Sequence, residues 1–552
     1  MSRIQANALS LPAAMPSVVT VGIVFGIIWV SLKVLSVGRR APGLPPGPPT
    51  VPVLGNLHLM PKERPHLQFE KWAREYGPIY SLMLGTRTMI VLSSDTAVKD
   101  VLTTRSGIYS DRPDMFIGQK IASGGLRLVV MRYGDNWRMI HKMVHNILNI
   151  TAAVTYLPYQ DLENKIMLKG FLDTPADFLN HIRRFSYSLS TQMIFGYRCR
   201  DINDPKLHQL FINFERWGEL SGSSSAQLAD LYPIMQKLPK FMAPNVRYAE
   251  RLYQTEKQHY VGHWMKAKQG LDVGTGMPCF CNDIYRAQKT QGFSDDAAGY
   301  ISGSLLEAGS DTTSSTLYGF ILAILIWPEV QRKAQDEIDR VVGPDRLPVI
   351  DDYAKMPYLR QCIKESLRWM PTVVLGVPHA AVKDDSYMGY NIPKGATVIN
   401  NVWAIHMDPK RSPDPRRFDP ERFAGDDTTL YQSAMGDTKK RDTFVFGAGR
   451  RLCQGIHIAE RSLFLAMSRL LWGFEFSPTA GYAYDIEDLV GSITVQPAKY
   501  PAVIKPRSRE KAAIMADAAR DCNALLDPDT GEWKQIPDGM AFSTWMPTKE
   551  DY

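Results

Sequence analysis

Ten residues near the C-terminal end constrain this chain most: Phe446-Gly447-Ala448-Gly449-Arg450-Arg451-Leu452-Cys453-Gln454-Gly455. They fit the pattern F-x-x-G-x-R-x-C-x-G at all five fixed positions. Chance would give that match on the order of once in ten thousand chains of this size at average residue usage. A cysteine met alone is usually a small buried hydrophobe. Held in this frame it reads instead as a presented thiolate. Gly449 permits a tight turn that aims backbone N–H groups at the sulfur, and such donors tune a ligating thiolate.

The decapeptide resembles the haem loop of the cytochrome P450 family, and the likeness covers nearly the whole chain. It implies heme b with Cys453 as the axial thiolate to iron, a ligand that favours O–O cleavage. It also implies Arg451 forked onto a haem propionate, Phe446 shielding the sulfur from water, and Gly455 letting the next helix approach the porphyrin. Further upstream, Ala308-Gly309-Ser310-Asp311-Thr312-Thr313 resembles the family's oxygen-activation motif at every position. Asp311 and Thr312 are then the catalytic pair, Asp311 relaying protons. Threonine back-bonding predicts a bent, locally opened helical turn there. An acid–alcohol pair speaks for monooxygenation and against rearrangement of peroxides without dioxygen.

Three more segments fit the resemblance. Glu365-Ser366-Leu367-Arg368 is an ExxR whose ends share a helix face. Arg422, in Phe418-Asp419-Pro420-Glu421-Arg422-Phe423, would complete a Glu–Arg–Arg network that is structural rather than catalytic. Trp137-Arg138 and His379 stand at positions that contact haem propionates in the family. His141 and Lys142 occupy the place where many members carry a further basic residue, which puts that contact in doubt. The resemblance puts substrate-facing segments at 116–127, 210–242, 302–308 and 373–377. Phe116, Ile117, Leu306, Val373, Val374 and Leu375 make them apolar.

The N-terminus predicts a membrane anchor. Residues 17–37 read SVVTVGIVFGIIWVSLKVLSV, with Lys33 as the one charge. About 20 helical residues span roughly 30 Å of hydrocarbon. Arg39 and Arg40 follow the span and Arg3 alone precedes it, so the positive-inside rule puts the bulk of the chain in the cytosol. A cleaved signal peptide competes, but the stretch is long and no small-residue cleavage pattern follows it. The layout expected is a lumenal segment 1–16, a transmembrane helix 17–37, a proline-rich hinge 38–56 that acts as a semi-rigid strut, a catalytic domain 57–505 and an extension 506–552. Within 57–505, long helical patterns, short strands at 79–84, 88–92 and 396–402 and the absence of linkers predict one large domain. The fold class is mainly α with a minor β-sheet region. Helices are expected over 293–326, from Pro328 to about Val342, and over 507–522. The last 30 residues read as an ordered lid or a loose tail.

Six cysteines show no disulfide spacing, and a formal charge of +7 without long basic runs excludes nucleic acid as a partner. Asn149-Ile150-Thr151 is a formal sequon that stays bare on a cytosolic domain. With no flavin or nicotinamide motif in the chain, electrons are expected from NADPH–cytochrome reductase. Lys439, Lys440, Arg441 and Arg450 read either as its docking face or as a solvated charge run. The whole resembles fungal members of the family that tailor secondary metabolites, of the O-methylsterigmatocystin oxidoreductase type. It implies an endoplasmic reticulum membrane enzyme that oxidises an apolar small molecule. Ring closure, coupling or desaturation by the same haem is the alternative, and a haem-binding sensor or carrier the non-enzymatic one.

Overall fold

Proline and glycine punctuation sets the helix ends. Pro328 opens helix Pro328–Val342 and Gly343 ends it with φ +75°. The preceding helix begins at Asp295, two residues after Phe293, because the Ser294 hydroxyl accepts from the Ala297 N–H at 3.2 Å. It runs 32 residues, Asp295–Ile326, and is apolar on nearly all sides from Leu317 on. A helix of that kind belongs in a core. It packs against helices Phe178–Phe195, Pro244–Asp272 and Ile456–Gly473. The largest core cluster gathers Leu317, Phe320, Ile321, Trp369, Phe464 and Trp472 around it. The computed structural model describes residues 18–437, 441–537 and 540.

The sheet is minor, as expected. β1 (Ile79–Leu84) and β2 (Arg87–Leu92) form an antiparallel hairpin. β2 runs parallel to β6 (Thr397–Asn400), whose far edge takes β3 (His379–Ala380). Three two-stranded ribbons complete the β structure: β4 (Asp385–Tyr387) with β5 (Tyr390–Ile392), β7 (Phe474–Ser477) with β10 (Val503–Pro506), and β8 (Leu489–Gly491) with β9 (Val495–Pro497). The expected strand 396–402 is shorter than its pattern, since Val402 starts the helix Val402–His406.

Both ends are specific. Helix Val18–Ser36 has a mean hydropathy of 2.1 over Val19–Ser36, and no part of that stretch is buried against the rest of the chain. The proline-rich strut is stapled to β1. Arg40 donates to Ser81 Oγ, Ser81 O, Gly47 O and Pro48 O, and Asn56 bonds Pro48 O, Pro49 O and the Met83 N–H. Residues 1–17, the expected lumenal segment among them, lie outside the described residues. At the other end, helix Arg509–Ala524 lies on helix Leu157–Asp173. Its Met515 joins the main core. The chain then straps across helix Phe178–Phe195: Trp533 donates to Gln192 Oε1 at 2.7 Å, and Arg198 donates to Gly531 O at 2.7 Å. Residues 526–534 therefore pack against the rest of the chain.

Candidate active site

The Cys453 loop is built by two left-handed glycines. Gly447 and Gly449 have φ +78° and +58°. At Gly449 a Cβ would sit 2.1 Å from Leu102 O, so backbone approach as well as dihedral demands glycine. The Cys453 N–H closes the loop on Phe446 O at 2.8 Å. The other five cysteines are buried and Cys453 is accessible. Burial of the surrounding loop pushes its thiol up, and the Gly455 N–H pulls the other way.

A chain of buried groups holds this loop from behind. Glu365 accepts from Arg368 Nε at 2.6 Å and Nη2 at 2.8 Å, and Arg422 closes the network at 3.4 Å. Arg368 also donates to His406 O at 3.1 Å. His406 accepts the Phe444 N–H on Nε2 at 3.0 Å, so its Nδ1–H donates to Arg368 O at 3.1 Å. Burial holds His406 well below the usual imidazole range, which fixes this neutral tautomer. The ExxR thus reaches the Cys453 loop through one histidine that the sequence did not single out. Arg441, expected on a docking face, is buried instead: its fork serves Thr443 O and Gly447 O inside the loop. Lys439 and Lys440 lie outside the described residues.

Beside the loop stands a wall of two arginines and a histidine. Arg451 donates to Ser110 O at 2.9 Å and Met131 O at 2.8 Å, and lies 4.1 Å from the Trp137 ring centre. Arg112, buried, donates to Val129 O, Val377 O and Pro378 O. His379 donates from Nδ1 to Tyr109 O at 2.7 Å. Burial lowers all three, Arg451 to about 10, and Arg451 pushes Arg112 and His379 down further. Arg138 is not part of this group. One residue along a helix is a turn of about 100°, and Arg138 pairs with Asp135 on the exposed face.

On the central helix, Ala308 and Gly309 are accessible although Leu306, Glu307 and Ser310 around them are buried. A Cβ on Gly309 would come 2.5 Å from Ser190 Oγ, the neighbouring helix passing that close. Thr312 Oγ1 donates to Ala308 O at 2.8 Å. The expected opened turn is absent: the helix stays α throughout, because the hydroxyls of Ser310, Thr312 and Thr316 share carbonyls that the backbone keeps. The Asp311 carboxyl meets Thr494 of the β8–β9 ribbon and faces Arg183. Burial raises it, and its Oδ2 has no partner.

The sequence profile of the cytochrome P450 family matches residues 45–501. The chain belongs to the cytochrome P450 family. Fungal cytochrome P450 monooxygenases resemble it over almost its whole length. One of them, virE of Hypocrea virens, is 51% identical over 539 residues, covering 96% of this chain and 98% of its own. The enzyme fogE of Aspergillus ruber is 49% identical over 92% of this chain and 95% of its own. The enzyme fsoB of Humicola fuscoatra is 45% identical over 95% and 98%. This cytochrome P450 is a monooxygenase, binds heme b, acts on a small molecule and draws on a redox partner.

The residues fit haem. Arg451 depresses Arg112, both arginines depress His379, and Asp111 beside them is engaged by Arg132 and the Tyr133 N–H. That surplus of positive charge suits two propionates. Arg112 escaped the sequence reading because nothing local marks an arginine as buried. Of the expected substrate-facing residues, Phe116, Val373 and Leu375 keep accessible surface, while Ile117, Leu306 and Val374 are packed in the core.

Proposed function

We propose that this cytochrome P450 is a single-pass enzyme of the endoplasmic reticulum membrane, with its catalytic domain cytosolic, and that it oxidises an apolar small molecule in fungal secondary metabolism. The accessible Cys453, alone among six cysteines in a loop buttressed by Glu365, Arg368 and His406, carries the reading. Haem b, when bound, supplies the centre that activates dioxygen.

The chain's own residues do the rest. Cys453 would ligate the haem iron, with the Gly455 N–H donating to its sulfur and Phe446 keeping water from it. Arg451, Arg112 and His379 would hold the propionates, with Trp137 packed under Arg451. Asp311 holds a proton on Oδ2 and passes it into the groove beside Thr312 Oγ1. Its raised affinity for protons, from burial, supports that role. Phe116, Val373 and Leu375 give the substrate an apolar wall. Val18–Ser36, apolar and unburied, supports the anchor, and exposed Arg450 beside the loop supports an acidic reductase of the NADPH–cytochrome type as electron donor.

Reducing the haem-loaded protein under carbon monoxide tests the ligand. The red-shifted Soret band of a thiolate complex is expected, and Cys453→Ser should abolish it. Survival of that band in the variant overturns the assignment. Labelled dioxygen then separates oxygen insertion from coupling or desaturation: a product without label sinks insertion.

A further inference from the structure

Away from the Cys453 loop, one buried arginine holds two carboxylates. Arg127 lies in the segment entering the short helix Leu128–Val130, with its side chain fully buried. Nη1 donates to both Glu307 oxygens at 2.5 Å, and Nη2 to both Glu256 oxygens at 2.6 Å. Glu307 stands on the central helix directly before Ala308, and Glu256 on helix Pro244–Asp272. Tyr260 donates to Glu307, and Tyr300 to Glu256 at 2.9 Å. Arg127 Nε takes Ser123 Oγ at 3.1 Å, and the guanidinium lies 3.8 Å over the Trp217 ring of helix Pro205–Gly222. The charged and titratable groups that face one another are therefore Arg127 from the connecting segment, Glu256 and Tyr260 from one helix, and Tyr300, Glu307 and, further on, Asp311 from the other.

One guanidinium cannot neutralise two carboxylates. Fully ionised, the cluster would bury an uncompensated negative charge, which an interior disfavours strongly. Two close carboxyl groups relieve this by keeping one proton. The direction at Glu256 agrees: burial pushes it up to about 7, Arg127 pulls it down and Glu307 pushes it up again.

The cluster is joined to the site. The Leu128 N–H donates to Ser304 Oγ on the central helix at 3.3 Å, Arg112 holds Val129 O, and Arg451 holds Met131 O. Five residues, 127–131, therefore carry the clamp at one end and the arginine of the Cys453 loop at the other.

We propose that Arg127 is a positioning residue for the groove at Ala308–Gly309, and that its grip depends on one proton kept on Glu256 beside the Glu307 carboxylate, whose loss to solvent loosens the 123–131 segment from the two helices. The proposal rests on the reading that this groove is the oxygen- and substrate-facing side. In the closed clamp the carboxyl binds its proton more tightly than in an open one, where it returns to the ordinary range near 4.5. Closure therefore weakens as pH rises toward about 7 and levels off above it. With those two values the closed-to-open ratio falls by about tenfold between pH 6 and 8.5.

Hydrogen exchange on the haem-loaded full chain reads this directly. With intrinsic chemical exchange divided out, protection of amides 123–131 is expected to fall about tenfold over that range. Helix Pro328–Val342, remote from the cluster, should not change. Glu256→Gln and Glu307→Gln each leave one carboxylate to one guanidinium, so the slope should vanish. A wild type without a slope, or a variant that keeps it, overturns the proposal. If one variant fails to fold, the other decides. Carbon monoxide rebinding to the ferrous enzyme after photolysis should quicken over the same range. A pH-independent rate overturns the link to the groove. Cys453→Ser keeps the two readings apart: its exchange slope survives if the clamp is right, whatever becomes of the Soret band.

Discussion

The side of the molecule behind Cys453 and the side around Asp311 are built on opposite rules. Behind Cys453 one chain of polar groups interlocks: Glu365, Arg368, His406 and the Phe444 N–H each have a partner, with one tautomer permitted, and the atoms beside it without hydrogen-bond partners, Arg422 Nε and Thr443 Oγ1, lie off that chain. Around Asp311 the polar groups do not interlock. Asp311 Oδ2 and Arg183 Nε are buried without hydrogen-bond partners, and Ala308 and Gly309 leave helix surface bare. Satisfied networks rigidify and specify a single arrangement, whereas unsatisfied ones store cost. A ligand that must not move is fixed on the first side. A molecule that enters and leaves meets the second.

If this contrast is right, substitutions behind Cys453 should lower stability and haem retention, and substitutions around Asp311 should lower rates. Glu365→Ala strands the Arg368 guanidinium in the core and should cost about 3–5 kcal/mol, read as a lower urea midpoint together with loss of the Soret band. Asp311→Asn should slow product formation by about a hundredfold while haem content and melting temperature hold; a fall in melting temperature of many degrees would erase the distinction. His406→Phe leaves the Phe444 N–H unpaired and should cost about 2 kcal/mol, with haem lost at lower urea than from wild type. Arg138→Ala, whose partner Asp135 is exposed, should leave both the melting temperature and the haem spectrum alone. A bleached spectrum there would return Arg138 to the wall beside the Cys453 loop.

The parts of this arrangement that are legible in the sequence are the local ones. Pro328 and Gly343 mark their helix because each acts on its own backbone. The strands 79–84 and 88–92 show because a hairpin is a neighbourhood affair, and β2 starts within one residue of its expected place. ExxR shows its Glu365–Arg368 pair because three residues of helix bring them together. What joins these pieces is remote. His406 lies 38 residues from either partner, and Arg127 lies 129 and 180 residues from its two carboxylates. Nothing in their flanks announces a buried charge. Arg441 read as surface because it follows two lysines, and it is inside because loop carbonyls needed donors. The turn at Thr312 stays α-helical, its hydroxyl donating to the carbonyl four residues back, a local bond that the sequence shows but whose effect on the helix it does not.

The Arg40 staple decides where this enzyme can be cut. Four donations from one guanidinium bind the proline-rich strut to Ser81 and to itself, so the strut travels with the catalytic domain rather than with the apolar helix. A shortened chain that starts at Gly38 or Arg39 should shed the apolar helix with β1 intact. One that starts at Leu57 would leave the Met83 N–H and the Ser81 carbonyl facing water at a raw sheet edge, an invitation to pair with another molecule.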